Sequence, residues 1–181
     1  HEVSDVIDYI KKQPEGARGL ILVPFNRPDL LEHAIRQHAH EVAAVICEPI
    51  HFNAGCILPT PEFLTAMRSL TQQNGILLVF DEILCAFRMG VGGAQEYLGV
   101  IPDLCTIGKA VGGGFPISAF GGRRDIMETL MPQGTCQHSG TYNGHVVSVA
   151  AAIAAVKAYR EPGYYDHINA LGQKLFPGLN E

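Results

Sequence analysis

Short runs of large apolar residues recur along the chain, separated by more polar segments. The runs are Leu20–Val23, Ala43–Cys47, Ile76–Phe80, Leu104–Ile107 and Ile117–Phe120. A strand that is buried on both faces has this kind of continuous run, whereas a half-buried strand alternates apolar and polar residues. The pattern therefore predicts a buried strand at each run.

Two segments between the first three runs have apolar residues at the spacing of a helix. Each begins with a proline, Pro28 or Pro61, and proline is common at the first position of a helix. The apolar residues recur three or four apart, at Leu30, Leu31, Ala34 and Ile35 in one segment and at Phe63, Leu64, Met67 and Leu70 in the other. This alternation predicts an α/β fold, a mainly parallel sheet with helices on both faces.

Beyond Gly144 the pattern is helical. Val146–Tyr159 is rich in alanine and apolar on most sides, which predicts a helix packed tightly between other elements. It is too short to cross a bilayer, and Lys157 lies near its end. A second helix is expected over Asp166–Leu175.

Composition excludes some classes of function. The chain has 181 residues, 47% of them apolar and 17% charged, as expected of a globular domain. Its net charge of −5, with only 13 basic residues, argues against nucleic acid as a partner. It contains neither an apolar run of about 20 residues nor a basic and apolar leader, so we expect no membrane association and a cytoplasmic location.

The cysteines and histidines do not have the spacing of metal ligands. No two cysteines are two to four residues apart, and the eight histidines form no His-x-x-x-His set. The closest pair of histidines, His38 and His40, lies at the polar end of a predicted helix with no third candidate ligand at metal-site spacing. We therefore expect no metal site, and we expect the cysteines to be small buried apolar residues: Cys47, Cys56, Cys85, Cys105 and Cys136.

Polar residues follow three of the predicted strands. Asp81 ends the run Ile76–Phe80, Lys109 follows Leu104–Ile107, and Asn53 comes after the strand that ends near Cys47. In open parallel sheets, ligands bind beyond the carboxyl ends of the strands. The three side chains are therefore expected to lie at one ligand-binding edge.

An acid at the end of an apolar strand also occurs in phosphate-loop ATPases, but the required motif G-x-x-x-x-G-K-[ST] is absent. The only Gly-Lys pair, ending at Lys109, is followed by Ala110, and Asp103 stands where the first glycine is needed. Nor do the glycines at 112–114 form a dinucleotide-binding motif, since Pro116 and a strand follow them instead of a helix.

Pyridoxal phosphate needs a lysine that binds it covalently and a carboxylate that keeps its pyridine nitrogen protonated. Lys109 has apolar and glycine neighbours and no adjacent acid, which predicts a partly desolvated amine. Asp81 ends a buried strand, where a carboxylate costs free energy unless it meets a cation or hydrogen-bond donors. A pyridinium nitrogen would be such a partner.

Three motifs carry a resemblance to a known family. "LLVFDEILCAFR", "PDLCTIGKAVGGGFPISAFGGRRDIME" and "HSGTYNG", in this order, resemble the class III aminotransferases of the type I pyridoxal phosphate fold. The branch with the greatest similarity contains glutamate-1-semialdehyde aminomutases and aminotransferases that act on β-amino acids. The similarity runs from about residue 42 to residue 180.

The resemblance implies roles for individual residues. Lys109 would form the Schiff base with pyridoxal 5'-phosphate and then move the proton, and Asp81 would bind the pyridine nitrogen. Ile83 would lie against one ring face, with an ordinary core residue as the alternative. Asn53 would reach the ring hydroxyl, unless it is only a turn residue. Thr141 would contact the cofactor phosphate across the interface of a homodimer.

Other positions match the family without a role that chemistry explains. Glu48 and Glu82 are among them, and Glu82 is expected at most to contact Arg88 or Arg123. His145 stands where the family usually has the asparagine of "GNP", a departure that could alter substrate preference.

Family members are more than twice as long as this chain. The resemblance therefore implies that residues 1–160 are part of the cofactor-binding large domain and that residues 161–181 begin a C-terminal small domain. It implies amino-group transfer between a small-molecule donor and a keto acid or aldehyde. The alternatives are the internal amino shift of an aminomutase and a catalytically silent piece.

Overall fold

The computed structural model describes residues 19–179, which contain one sheet and the helices around it. The strands are β1 (Ala44–Cys47), β2 (Leu77–Glu82), β3 (Leu104–Ile107) and β4 (Ala119–Gly122). The helices are α1 (Pro28–His38), α2 (Pro61–Gln73), α3 (Gly93–Leu98), α4 (Arg124–Met127), α5 (Val146–Tyr159) and α6 (Tyr164–Leu179). Two short 3₁₀ helices lie at Phe52–Ala54 and Lys109–Gly112.

The sheet has the strand order β1-β2-β3-β4, so its spatial order is also its chain order. The first three strands are parallel, and β4 is antiparallel to β3. The register pairs Cys47 with Phe80, Asp81 with Thr106, and Thr106 with Phe120. The predicted α/β class with a mainly parallel sheet is therefore confirmed.

The predicted strands differ from the observed ones mainly at the first run. β3 has the predicted bounds, whereas β4 begins two residues after the start of Ile117–Phe120. Leu20–Val23 is not a strand, which corrects the prediction, and Leu20 is 58% exposed. The physical reason is that a strand needs a partner for its backbone hydrogen bonds, and among residues 19–179 no strand pairs with this segment.

The core lies between one face of the sheet and helices α1 and α2. Leu78 and Phe80 of β2 are fully buried against Met67 of α2 and Ile35 of α1. Pro61 begins α2 as predicted, and the Thr60 hydroxyl accepts a hydrogen bond of 3.2 Å from the Phe63 amide. Each such buried side chain contributes about 1.5–3 kcal/mol, so this face accounts for much of the stability.

The opposite face of the sheet is largely open. Ile46 lies there in register with Val79 and is 64% exposed, and Phe120, in register with Thr106, is 41% exposed. Asp81 shares this face, because alternate residues of β2 point to the same side. The sequence also predicted helices over this second face, and that part of the fold stays a prediction.

The C-terminal helices pack against the turn that follows β3. The bounds of α5 are those predicted, and the Tyr159 hydroxyl donates 2.7 Å to the carbonyl of Ala110. The expected tight packing between other elements is wrong for the described residues, because Ser148 is the one buried residue of α5 and Val146 is 79% exposed. Within residues 19–179, no helix is long and apolar enough to span a membrane.

The cysteines are less buried than the sequence predicts. Only Cys85 is fully buried, and Cys56 and Cys136 are exposed because they lie in irregular segments outside the sheet. Burial raises the pKa of the Cys47 and Cys85 thiols to about 12, so neither is a thiolate at neutral pH. The described residues contain no cluster of three or more potential metal ligands, and the lack of a metal site stays a prediction.

A buried carboxylate joins three elements of the fold. Asp103, just before β3, accepts hydrogen bonds from Arg68 of α2 and from Arg123 after β4, each at 3.0 Å. It also accepts 2.7 Å from the Leu78 amide of β2. Burial alone would raise the pKa of Asp103, but the bonds from Leu78, Arg123 and Arg68 outweigh it and hold that pKa below its ordinary value.

We predict that Asp103→Asn lowers the free energy of unfolding of the full-length protein by about 3 kcal/mol at neutral pH, because two arginines lose a buried partner. A lowered folded-state pKa means that this stabilisation is present above the unfolded-state pKa and is lost as the pH falls through the folded-state value. The difference between wild type and variant should therefore shrink as the pH falls below about 4, the ordinary pKa of an aspartate, as measured by urea unfolding. Asp125→Asn is the control: it removes an exposed partner of Arg123 and should cost less than about 1 kcal/mol. Equal losses in the two variants would contradict the prediction.

Candidate active site

The carboxyl ends of β1, β2 and β3 bring polar residues into a row. Asp81 on β2 is in register with Thr106 on β3. Cys47 is in register with Phe80, so Glu48, the next residue, comes beside Asp81 on the other side. Neighbouring strands lie about 4.8 Å apart, so these three side chains are close neighbours at the edge of the sheet.

Asp81 has one occupied and one open carboxylate oxygen. Its Oδ1 accepts a hydrogen bond of 3.0 Å from the Ile83 amide and one of 3.2 Å from the Thr106 hydroxyl. Its Oδ2 accepts no hydrogen bond from any residue of the described chain, and the side chain is half-buried. The two bonds to Oδ1 fix the carboxylate plane, and Oδ2 is left to accept from a cationic donor such as a protonated ring nitrogen.

Lys109 is the first residue of the short 3₁₀ helix that follows β3, and this loop lies next to Ile83 at the end of β2. A Cβ on the preceding residue, Gly108, would lie 3.3 Å from Ile83 Cγ2, so the glycine allows Ile83 to pack closely against the lysine loop. Lys109 itself has φ 45°, a left-handed conformation that costs a non-glycine residue about 1–2 kcal/mol. Such strain is common at functional sites.

The predicted desolvation of Lys109 is wrong for the described chain, because this side chain is exposed. The apolar and glycine neighbours that suggested it, Val111 and Gly112, are buried, since the 3₁₀ turn directs them inward. The same turn directs the lysine outward.

Asn53 lies in the short 3₁₀ helix after β1 and is held by Glu48. The Asn53 Nδ2 donates to Glu48 Oε1, and Glu48 Oε2 accepts from the Phe52 and Asn53 amides at 3.1 and 3.5 Å. Sequence reasoning assigned no role to Glu48 and did not consider Thr106. The available signal was positional: each belongs to the row at the strand ends that includes Asp81.

The other predicted site residues do not belong to the row of Glu48, Asp81 and Thr106 at the strand ends. Ile83 is half-buried between β2 and the lysine loop. Thr141 lies in an exposed turn before α5, where the Asn143 side chain approaches His138 at 3.3 Å. Its predicted contact with a second subunit stays a prediction. His145, which departs from the family pattern, contacts the buried Ser148 at 3.2 Å instead of the row at the strand ends.

Glu82 is adjacent to Asp81 but faces the opposite side of the sheet, where it is 1% exposed. Its carboxylate accepts a hydrogen bond of 2.6 Å from the Ala94 amide and one of 2.9 Å from Gln95 Nε2, both at the start of α3. The expected contact with Arg88 or Arg123 is wrong, because Arg88 donates to the Leu84 carbonyl and Arg123 donates to Asp103 and Asp125. The acid is stabilised by the donors at a helix start instead.

Comparison with known proteins gives a consistent result. Residues 26–181 match the sequence model of the family described as Aminotransferase class-III. The chain is 44% identical over 165 residues to a glutamate-1-semialdehyde 2,1-aminomutase of Thermomicrobium roseum, covering 91% of this chain and 38% of that protein. It is 48% identical over 143 residues to the protein of the same name from Methanocaldococcus jannaschii, covering 79% and 34%.

Solved structures agree with the observed fold. An omega-transaminase from Sphaerobacter thermophilus superposes with a TM-score of 0.86 at 36% identity, over 95% of this chain and 40% of that one. A structure titled "Transaminase with PLP bound" superposes with a TM-score of 0.82 at 32% identity, and the match covers 89% of this chain and 38% of that one. The chain thus spans about two-fifths of the length of the proteins that it matches.

We predict that Gly93→Ala is strongly destabilising, because Gly93 has φ +67° and an added Cβ would lie 2.3 Å from Glu82 Oε2. The control is Gly99→Ala, with the nearly equal φ of +68° and open space around the added Cβ. The control should lose about 1–2 kcal/mol of unfolding free energy through backbone strain alone, and Gly93→Ala at least about 2 kcal/mol more. Urea unfolding of both variants tests this, and equal losses would show that Glu82 moves aside freely.

Proposed function

This chain belongs to the class-III aminotransferase family, and we propose that the full-length protein containing it transfers an amino group between an amino acid and a keto acid or aldehyde, with pyridoxal 5'-phosphate as cofactor. The observation that carries the proposal is the position of Asp81, which has an open Oδ2, and of Lys109 at the ends of two neighbouring strands. An acid and an amine at neighbouring strand ends fit a ring that needs one at its nitrogen and the other at its aldehyde.

When bound, the cofactor would withdraw electrons from the amino-bearing carbon of the substrate. Asp81 Oδ2 would accept the hydrogen bond of the pyridine nitrogen and keep it protonated, a charge-assisted bond of about 1.5–3 kcal/mol. Lys109 Nζ would bind the cofactor covalently and, once displaced by the substrate amine, would take and return the proton at the substrate carbon.

The remaining residues would hold the cofactor and orient it. Asn53 would bond the ring hydroxyl, and Ile83 would cover one ring face. Thr141 would donate to the cofactor phosphate of a neighbouring subunit, which requires a homodimer. Residues 1–160 would belong to the cofactor-binding domain and residues 161–181 to the start of a smaller one. A cytoplasmic location stays a prediction from the sequence.

The internal amino shift of an aminomutase is the second candidate. It is supported by the names of the two curated relatives described above, at 44% and 48% identity. Transfer between two substrates is supported by the solved transaminases, one of which superposes over 95% of the chain. We favour transfer between two substrates because the aminomutase is one narrow member of a broad branch of the family. A catalytically silent protein is the further alternative.

We predict that Lys109→Ala abolishes the visible absorption that the full-length protein gains with pyridoxal phosphate and lowers turnover at least about 1,000-fold, because the covalent link and the proton carrier are both lost. Lys157→Ala, which removes an exposed lysine on α5, should change neither. Spectrophotometric titration and an amino-transfer assay measure the two effects. Visible absorption that persists unchanged in Lys109→Ala would refute the role of this lysine, and a wild type without any would favour the silent alternative.

We predict that the full-length protein transfers the amino group of a β-amino acid to 2-oxoglutarate and forms the corresponding β-keto acid and glutamate, because transfer needs a second, separate acceptor. The measurement is glutamate formation against a reaction without 2-oxoglutarate. Turnover of glutamate-1-semialdehyde alone, with no keto acid present, would overturn this preference in favour of the aminomutase.

A further inference from the structure

Glu48 is the acid at the strand ends for which the cofactor chemistry above has no use. Its carboxylate is nevertheless fully engaged: Oε1 binds the Asn53 side chain, and Oε2 binds the amides of Phe52 and Asn53. All three donors belong to one turn of 3₁₀ helix, so the carboxylate fixes that turn relative to the end of β1.

The contact with Glu48 determines how the Asn53 amide is oriented. An ionised carboxylate can only accept hydrogen bonds, so the amide must turn its NH₂ group, and not its carbonyl, toward Glu48. Nδ2 carries two hydrogens, and Glu48 takes one of them. The second N–H is then held in a fixed direction, in the amide plane, and is free to donate to a ligand at the exposed side of the residue.

The position of Glu48 puts this N–H at the correct part of the edge. Glu48 follows Cys47, whose register partner precedes Asp81, so the two acids are side by side. The pKa of the Cys47 thiol is raised first by burial and then by the charges of Glu48 and Asp81, which agrees with both acids being near this thiol. In pyridoxal phosphate, only one ring carbon separates the nitrogen from the carbon that bears the hydroxyl, so their binding groups must also be neighbours.

We propose that Glu48 is a positioning residue that holds the Asn53 amide so that its second N–H donates to the ring oxygen of the cofactor. This role rests on the proposed function. A donor to that oxygen favours its ionised form, and therefore lowers the pH at which the absorption of the bound cofactor changes. Losing the donor raises that pH, whereas losing the negative charge of Glu48 would lower it, so the sign separates positioning from plain electrostatics.

The test is Glu48→Asp in the full-length protein, because this change keeps the charge but draws the carboxylate back by one methylene. The midpoint of the absorption titration should rise by about one pH unit, in the same direction as in Asn53→Ala. In the double variant, the change at Glu48 should add nothing further, as expected of a residue that acts through Asn53. Glu41→Asp, at an exposed position just before the amino end of β1 and thus at the opposite end of that strand from Glu48, is the matched control and should leave the midpoint unchanged.

Each other outcome has a distinct meaning. An unchanged midpoint in Glu48→Asp, beside a shift in Asn53→Ala, would overturn the positioning role and leave the proposed function intact. A shift of full size that persists in the Asn53→Ala background would also overturn it, because Glu48 would then act by another route. A wild type that gains no visible absorption with the cofactor would overturn the proposed function and this role with it.

Discussion

The parallel register of β1, β2 and β3 is the constraint on which the candidate site depends. It sets Asp81 opposite Thr106 and brings Glu48 next to Asp81. Residues 48, 81 and 106 are far apart in sequence, and only this pairing makes them neighbours. A shift of one residue in either pair would turn Asp81 or Thr106 to the opposite face and break their hydrogen bond. The site is therefore a consequence of strand pairing before it is a consequence of any loop.

Strand alternation also divides the acids by role. Asp81 and Glu82 are consecutive, and because they face opposite sides of the sheet, they meet different surroundings. Glu82 is bound by donors at the start of α3, and Asp103 by two arginines and a backbone amide. A buried carboxylate needs such a full set, because an unpaired one would be costly. Asp81 has two donors on one oxygen and an open second oxygen on the less covered face, which suits an acid kept for a ligand.

The sequence predicted well those features that depend on local composition. The bounds of β3 and α5 and the proline starts of α1 and α2 needed only a continuous apolar run, a helical spacing or a proline. Leu20–Val23 failed because a strand also needs a partner, and pairing is not encoded in the segment itself. The roles of Glu48, Glu82 and Asp103 could not be predicted either, since their partners are set by a turn geometry, a face or a register. Asp81 and Lys109 were predicted as site residues because the chemistry of a ring limits which residue types can bind it, and their roles stay a prediction.

The open face explains why the site is oriented but not enclosed in the described residues. Ile46 and Phe120 leave large apolar area in water beside the row that contains Asp81, although such surfaces usually contact another protein surface. Lys109 is exposed toward solvent in the same region, whereas the proposed covalent chemistry favours a lysine that is shielded from water. The hydrogen bonds that orient Asp81 and Asn53 lie within the described residues, and the same residues leave Lys109 exposed. Under the proposed function, a surface that covered the apolar face would stabilise the fold and lower the polarity around the lysine at the same time.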